Sequence, residues 1–567
     1  MQSLEQVKAR IKELFCLVAS LNHKDFTIDF VLDYPKNNDF GDLYTNIAMV
    51  GARQAKMPPV QIATKLAELI AKEPFALDAS VAGGGFVNIK IKQEFWQAAL
   101  GNALHGTLAN YGFANYGGGE AVNIEYVSAN PTGPIHLGHT RGSVYGDVIA
   151  RLLAKCGYAV TKEYYINDAG VQVGKLVKSV FIRYQQAQGM DIALAEDCYP
   201  GDYLVKPAQD LLATFGNSLN AERDFELIRA FAIEAMMEQI KQSLTKLGIK
   251  HDVYTSEFET IKAGYVDKML DLLKSKDLTY IGTTEQPKGK AAQGWVAQEQ
   301  LLFKSKQFGD DEDRVLITAS GAKTYFVSDV AYQLHKIERG FKNMILVIGA
   351  DHLGYVKRIK AATHALHNEA KLDVKLCQLV KFVKNGEPIK MSKRKGTFET
   401  LDDVLEEVDQ SIIRFIMISK KNDTHMDFDL EKVKEQSKEN EIFYIQYAYS
   451  RASSVLKTAT DLDLKNINLS ILTKEADLQY IKKVLEYPKI IKIACQNAEP
   501  HHIAFYLYEL AGCFHKIWHE GNLDKSLRFL QENDIIKTNT RLSLAFIYKY
   551  IVDSSFDVFG IKPLDQM

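Results

Sequence analysis

The sequence predicts an α/β protein in three parts: a doubly wound parallel-sheet core, a small α/β domain before it and an all-α bundle after it. Three observations carry this. Strand, helix and strand patterns succeed one another over 121–165, apolar strand patterns return at 343–348, and from about residue 402 Gly and Pro become sparse while long helical periods take over. At 567 residues the chain is too long for one core, and a prior of about 150 residues per domain gives roughly three or four. Hydrophobic content of 46% and charged content of 25% are those of an ordinary globular protein and exclude long disordered stretches.

Taken in order, helical periods at 4–21 and 59–71 alternate with strand patterns at 26–32 and 86–91, which predicts a separate domain over 1–110. Residues 111–119 are rich in Gly and Asn without apolar periodicity and form a linker. A strand at 121–127, a loop holding Pro131 and Pro134, a helix from about His139 with Val144, Val148, Leu152 and Leu153 at helical spacing, and a strand at 159–165 make one βαβ unit. Its crossover is right-handed, as in the front half of a Rossmann-like sheet. Residues from about 176 to 317 are dominated by helical periods, such as 225–247 and 261–274, and form an insertion separating the half-sheets. The sheet resumes at 343–348 and 377–383, so the core spans 120–400. A connecting segment follows over 401–435, then a bundle over 436–567 with helices expected at 441–456, 503–520 and 542–556.

Composition narrows the chemistry. A net charge of −2 denies the chain a global basic field, so a polyanionic partner must meet local patches. Six cysteines without a C-x-x-C pair argue against a disulfide framework or a cysteine-rich zinc knuckle. The first thirteen residues form a charged amphipathic pattern, not a secretory signal. The longest stretch free of Asp, Glu, Lys and Arg, 95–119, holds too much Gly, Asn, Gln and His to enter a bilayer.

Two short strings far apart describe one reaction centre. His136-Leu-Gly-His139 lies between a strand and the following helix, where unpaired backbone N–H groups and the helix dipole favour an anion. Gly138 lets a flat ligand such as adenine approach the backbone. Lys390-Met-Ser-Lys393 continues as Arg394-Lys395-Gly396 after a turn at Asn385-Gly386, and its four crowded cations repel one another unless a polyphosphate neutralises them. Each string alone also fits a blander reading, a capping turn with solvated histidines or a solvated basic loop. Together, on opposite half-sheets, they suit attack on the α-phosphate of ATP. A guanidinium substrate would require buried carboxylates. Glu125 lies in the strand leading to the histidines, and Tyr325 with Asp329 shares a face if that segment is helical. Gly83, Gly84 and Gly85 form a tight turn, since no Gly-Lys-Ser/Thr follows. His515 and His519 have metal spacing on a helix, but their apolar neighbours point to core packing.

The two motifs in this order resemble the signatures of class I aminoacyl-tRNA synthetases. The surrounding strings resemble the arginyl-tRNA synthetase family over nearly the whole chain: Glu125-Tyr-Val-Ser-Ala-Asn-Pro-Thr-Gly-Pro-Ile-His-Leu-Gly-His-Thr-Arg141, Asn167-Asp-Ala-Gly-Val-Gln172, Thr324-Tyr-Phe-Val-Ser-Asp-Val-Ala-Tyr332 and Gly349-Ala-Asp-His-Leu-Gly-Tyr355. The resemblance implies ATP-dependent adenylation of L-arginine with release of pyrophosphate, then transfer to the 3′ end of tRNA(Arg). It implies that His136 and His139 stabilise the α-phosphate and that Lys390 and Lys393 hold the pyrophosphate. Ser128, Asn130 and His139 would contact the backbone of the amino acid, Glu125, Tyr325 and Asp329 its guanidinium, and Asp351 or His352 the ribose. Ala129, Pro131, Thr132, Gly133, Pro134, Ile135, Leu137, Gly138, Gly349, Met391 and Ser392 would complete the ATP site. Mg²⁺ is expected with ATP, without a protein metal site. The N-terminal domain, through Asn37-Asn-Asp-Phe-Gly-Asp42 and Gly83-Gly-Gly-Phe-Val-Asn88, resembles the family's tRNA-elbow module. The bundle would hold the anticodon with Tyr447, Arg451 and Met567. Lys393 is a departure, since many arginyl enzymes lack the second lysine. By the family's habit the protein is a cytoplasmic monomer that needs tRNA bound before activation. A class I synthetase for another amino acid such as lysine, a nucleotidyltransferase of the same fold, and a non-catalytic tRNA-binding paralogue remain the alternatives.

Overall fold

The computed structural model describes residues 3–22, 24, 26–35, 37–106, 110–284, 298–388, 400–459 and 462–567. Helix α1 (Leu4–Ala19) begins where the Ser3 hydroxyl accepts the Gln6 N–H, and buries Val7, Ile11, Leu14 and Phe15 at helical spacing. There follow β1 (Leu32–Asp33), β2 (Leu43–Thr45), α2 (Ile47–Ala55), α3 (Pro59–Ile70), β3 (Ala76–Ala82), β4 (Phe86–Ile91) and α4 (Gln93–His105). The four strands form an antiparallel sheet in the order β1-β2-β4-β3. The strand expected at 26–32 is absent but for Leu32. Phe26 and Phe30 are buried, with the Phe26 ring 4.7 Å from that of Phe15, so aromatic packing on α1 outweighs the β propensity of the segment.

The core contains β5 (Ala121–Glu125), α5 (Leu137–Lys155), β6 (Ala159–Ile166), α6 (Val171–Ala187), α7 (Val205–Phe215), α8 (Phe225–Lys246), β7 (Val253–Ser256), α9 (Glu257–Lys262) and α10 (Tyr265–Ser275). After these come β8 (Thr279–Gly282), β9 (Gln300–Phe303), β10 (Arg314–Ile317), α11 (Tyr325–Glu338), β11 (Asn343–Gly349), α12 (Val356–Leu366), β12 (Lys371–Cys377), β13 (Val380–Lys384) and β14 (Glu387–Pro388). The central sheet runs β12-β11-β5-β6-β7 with every pair parallel. Strand order reverses at β5, which has β6 on one side and β11 on the other, so the ligand crevice opens beyond the carboxyl ends of β5 and β11.

Four expectations need correction here. Residues 176–317 are not wholly outside the sheet, because β7 pairs with β6 as its edge strand. The helix expected at 261–274 breaks into α9 and α10 at Gly264, whose φ of 82° suits glycine. The strand expected at 121–127 ends at Glu125, for Val127 and Ser128 have φ of 69° and 38°. Finally, the strand expected at 377–383 is two: β12 completes the central sheet, and β13 belongs to a three-stranded sheet with β14 and β15 (Met426–Asp429).

The remaining helices are α13 (Leu401–Glu407), α14 (Gln410–Ile418), α15 (Glu441–Thr458), α16 (Glu475–Asn497), α17 (His501–Leu523) and α18 (Ile535–Phe559). Several side chains join these helices to the core, among them Tyr145, which donates to Ala498 O, and Lys155, paired with Asp557. Arg414 of α14 is fully buried and donates to Phe559 O (2.6 Å), Leu247 O (2.9 Å) and Asp147 Oδ2 of α5 (2.6 Å). Burial alone would raise the Asp147 pKa, but the charges of Arg414 and Arg151 outweigh it and hold the carboxyl below its ordinary value. The N-terminal domain leans on the same bundle, with Gln97 donating to Leu472 O at 3.1 Å and Lys482 paired with Asp42.

Candidate active site

The crevice is built from the turn that ends β5. Two successive residues with positive φ, Val127 and Ser128, turn the chain sharply after Glu125, a conformation that needs external support. That support is a set of hydrogen bonds: Ser128 Oγ donates to Glu125 Oε1 (3.2 Å) and accepts from Tyr165 N–H (3.0 Å), and Asn167 Nδ2 donates to Ser128 O (3.1 Å). Farther along, Tyr164 Oη donates to Ala129 O and Tyr203 Oη to Thr132 O. Asn130 Nδ2 donates to Gln172 Oε1 at 2.9 Å.

Helix α5 then starts two residues earlier than the sequence predicts, with His136 as its N-cap. His136 Nδ1 accepts the Gly138 N–H at 3.1 Å, which leaves the ring proton on Nε2. A Cβ on Gly138 would stand 2.9 Å from that ring, so glycine is required for the imidazole to cap its own helix. The His136 and His139 rings lie 4.0 Å apart between centroids. Burial, and then the neighbouring His136, push the His139 pKa down to about 4. His139 is therefore neutral near pH 7, and its buried Nδ1 has no hydrogen-bond partner among the described residues.

Helix α11 forms the opposite wall. Tyr325, Asp329, Tyr332 and Lys336 recur at helical spacing, a stripe that runs from the exposed Tyr325 to the fully buried Lys336. Burial pushes the Asp329 carboxyl up to about 7, and the carboxylates of Glu257 and Glu125 add to that push against a hydrogen bond from Tyr355 and the charge of Arg358. No Lys or Arg nitrogen makes an ion pair with Asp329 among the described residues. Burial likewise raises the Glu257 pKa. Glu125, a charge ending a core strand, has a partner inside the chain: Lys336 Nζ stands 2.5 Å from Glu125 Oε2.

At the end of β11, the Asp351 carboxylate folds back over Gly349, where an added Cβ would lie 2.3 Å from Asp351 Oδ1. His352 Nε2 lies 3.6 Å from Asp351 Oδ2, and both side chains are exposed. A crevice of about 710 Å³ brings together Glu125, Ser128, Ala129, Asn130, His136, Gly138, His139, Tyr325, Asp329, Gly349, Asp351 and His352. Pro131, Thr132, Gly133, Pro134, Ile135 and Leu137 do not line it; Pro131, Ile135 and Leu137 are buried and brace the loop from behind. Lys390, Met391, Ser392 and Lys393 lie outside the described residues. Thr400 forms an antiparallel bridge with His136, and Leu401 N–H donates to Ile135 O at 2.9 Å.

Sequence reasoning missed Glu257, Gln172 and Gln333 as crevice walls and Lys336 as the partner of Glu125. Lys336 alone had a signal, being a cation on the core-facing stripe of a helix. In the bundle, Arg451 donates to Tyr447 Oη at 2.8 Å and lies over both the Tyr447 and Trp518 rings, whereas Met567 lines a different cavity of about 870 Å³. His515 bonds to Tyr444 O and to Arg451.

Residues 110–453 match the family model described as tRNA synthetases class I (R), catalytic domain; residues 2–91 match the arginyl tRNA synthetase N terminal domain, and 445–567 the DALR anticodon binding domain. The chain is 45% identical over 540 residues to the arginine–tRNA ligase of Wolbachia sp. subsp. Brugia malayi, covering 95% of each. It is 46% identical over 544 residues to that of Ruegeria pomeroyi, covering 94% of each. The Thermus thermophilus arginyl-tRNA synthetase structure shares the fold at a TM-score of 0.70 and 20% identity, over 98% of this chain and 99% of that one.

Proposed function

The chain belongs to the arginyl-tRNA synthetase family, activating L-arginine with ATP and charging tRNA(Arg), and on that premise we propose how its residues share the work. The arginine carboxylate attacks the α-phosphorus of ATP, the bond to the β-phosphate oxygen breaks, and pyrophosphate leaves. The 3′-terminal ribose hydroxyl of tRNA then attacks the acyl carbon, and AMP leaves. His136 and His139 serve the first step as hydrogen-bond donors to the α-phosphate, His139 as a neutral imidazole. Lys390 and Lys393 take the departing pyrophosphate. In support, Thr400, which follows them in the chain, pairs with His136 itself.

The observation that carries the choice of amino acid is Asp329, a half-buried carboxylate on the crevice wall, crowded by other carboxylates and without an ion pair among the described residues. Such a group is costly until a cation arrives, and a planar guanidinium fits it with two hydrogen bonds. Glu125 and Tyr325 complete that end of the site, Ser128, Asn130 and His139 receive the amino acid's backbone, and Asp351 or His352 the ribose. Mg²⁺ enters with ATP, held by phosphates instead of a protein cage. Residues 1–110 are the tRNA-elbow module, 120–400 the catalytic domain and 401–435 a connector. Residues 436–567 grip the anticodon through Tyr447, Arg451 and Met567, in a monomer working in the cytoplasm. Amino-acid-dependent ATP/pyrophosphate exchange, measured with and without tRNA(Arg), tests the reading. Arginine alone should stimulate exchange; stimulation by lysine in its place would end the assignment.

A further inference from the structure

Lys336 is a buried ammonium that the chemistry above does not use. Its Nζ stands 2.5 Å from Glu125 Oε2 and 4.2 Å from the centroid of the Tyr332 ring, which stacks on Tyr165 at 4.1 Å. The other oxygen, Oε1, accepts the Ser128 hydroxyl. Glu125 lines the crevice, whereas Lys336 lies behind it. The charged groups around the pair are Glu163 on β6, Asp329 and Arg339 on α11, and Glu257 on α9, with the hydroxyls of Tyr165, Tyr332 and Tyr355. Glu163 is already satisfied: it accepts Arg339 at 2.7 Å and Thr255 at 2.6 Å. Among the described residues, Lys336 is thus the cation that answers Glu125 and no other carboxylate at hydrogen-bond range.

We propose that Lys336 is a positioning residue for arginine recognition: it clamps one oxygen of Glu125 and so holds the other toward the crevice, in register with Asp329. A rigid guanidinium fork needs its acceptors fixed before it arrives, and a carboxylate that has lost the cation clamping one of its oxygens is free to turn out of register. The proposal rests on the assignment of Glu125 and Asp329 to the guanidinium.

The test is ATP/pyrophosphate exchange by the full chain with tRNA(Arg), comparing wild type, Lys336→Gln, Glu125→Gln and the double variant, each checked by thermal melting. Wild-type exchange is read first: no response to arginine overturns the underlying assignment. Given that response, Lys336→Gln should raise the arginine KM about tenfold or more at pH 7 and leave the ATP KM within about twofold. The double variant should match Glu125→Gln alone, since Lys336 acts through that carboxylate. That last comparison holds even if Lys336→Gln does not survive assay temperature. A folded Lys336→Gln with the wild-type arginine KM, an equal rise in both KM values, or a double variant far worse than Glu125→Gln would each overturn the proposal.

Discussion

Asp147 and Asp329 are both carboxylates facing the interior, one at the junction of core and bundle and the other in the crevice, and their environments are opposite. Asp147 lies against Arg414 at 2.6 Å and Arg151 at 2.7 Å, and its pKa is depressed. Asp329 faces Glu257 and Glu125, and its pKa is pushed up to about 7. The first carboxylate is neutralised by its own chain and therefore holds the molecule together. The second has no such neutraliser among the described residues, and in the proposed reading its cost is recovered when the substrate cation binds. Identical chemistry has opposite ionisation behaviour in the two places because of what surrounds it.

Substitution should separate the two most sharply. Asp147→Ala strands Arg414 without a counter-charge and should cost about 3–5 kcal/mol of stability, read as a large fall in melting temperature. Asp329→Ala removes an unneutralised group, so the melting temperature should hold or rise while arginine-dependent exchange drops by about 10²–10³-fold in kcat/KM and the ATP KM stays put. Equal melting losses in both variants would erase the distinction.

The next largest effect is in pH. Asp329 must be ionised to take a cation, so the arginine KM should fall about tenfold between pH 6 and 8 and then level, while the ATP KM does not follow. Stability moves the other way: with the folded pKa raised above 3.8, Asp329 favours the native state at low pH and that contribution is lost as pH rises toward 7. Asp147, depressed, contributes above its unfolded pKa and loses that contribution only as pH falls below about 4. Arginine added at pH 8 should restore melting temperature in the wild type but not in Asp329→Ala. A flat arginine profile would remove Asp329 from the site.

A smaller effect is expected at the helix start. Gly138→Ala puts a Cβ at 2.9 Å from the His136 ring, which can swing aside at the loss of its cap. The expected result is a kcat lower by about threefold to tenfold with the arginine KM unchanged. An increase in arginine KM instead would place this turn in the amino-acid pocket.

The central sheet was legible because strand and helix periods are local, and β6 and β11 fall within a residue of expectation at each end. The failures share a cause. Residues 26–32 alternate as a strand would, yet Phe26 packs on Phe15 and Phe30 on Phe26; residues 377–383 read as one strand, yet two sheets claim its halves. In each, a distant neighbour decided. The site divides likewise: His136, His139, Tyr325 and Asp329 stood out by motif or spacing, whereas Glu257 carried no local mark and came to the crevice only through the β7–α9 turn.

The sequence by itself determined the alternation of elements, the paired histidines at a helix start, and the family, since each is written in residues a few positions apart. Only the tertiary structure decided which carboxylates are neutralised: Lys336 reaches Glu125 across 211 positions and Arg414 reaches Asp147 across 267. Charge compensation depends on distance in space and on exclusion of water, and neither exists until the chain has folded.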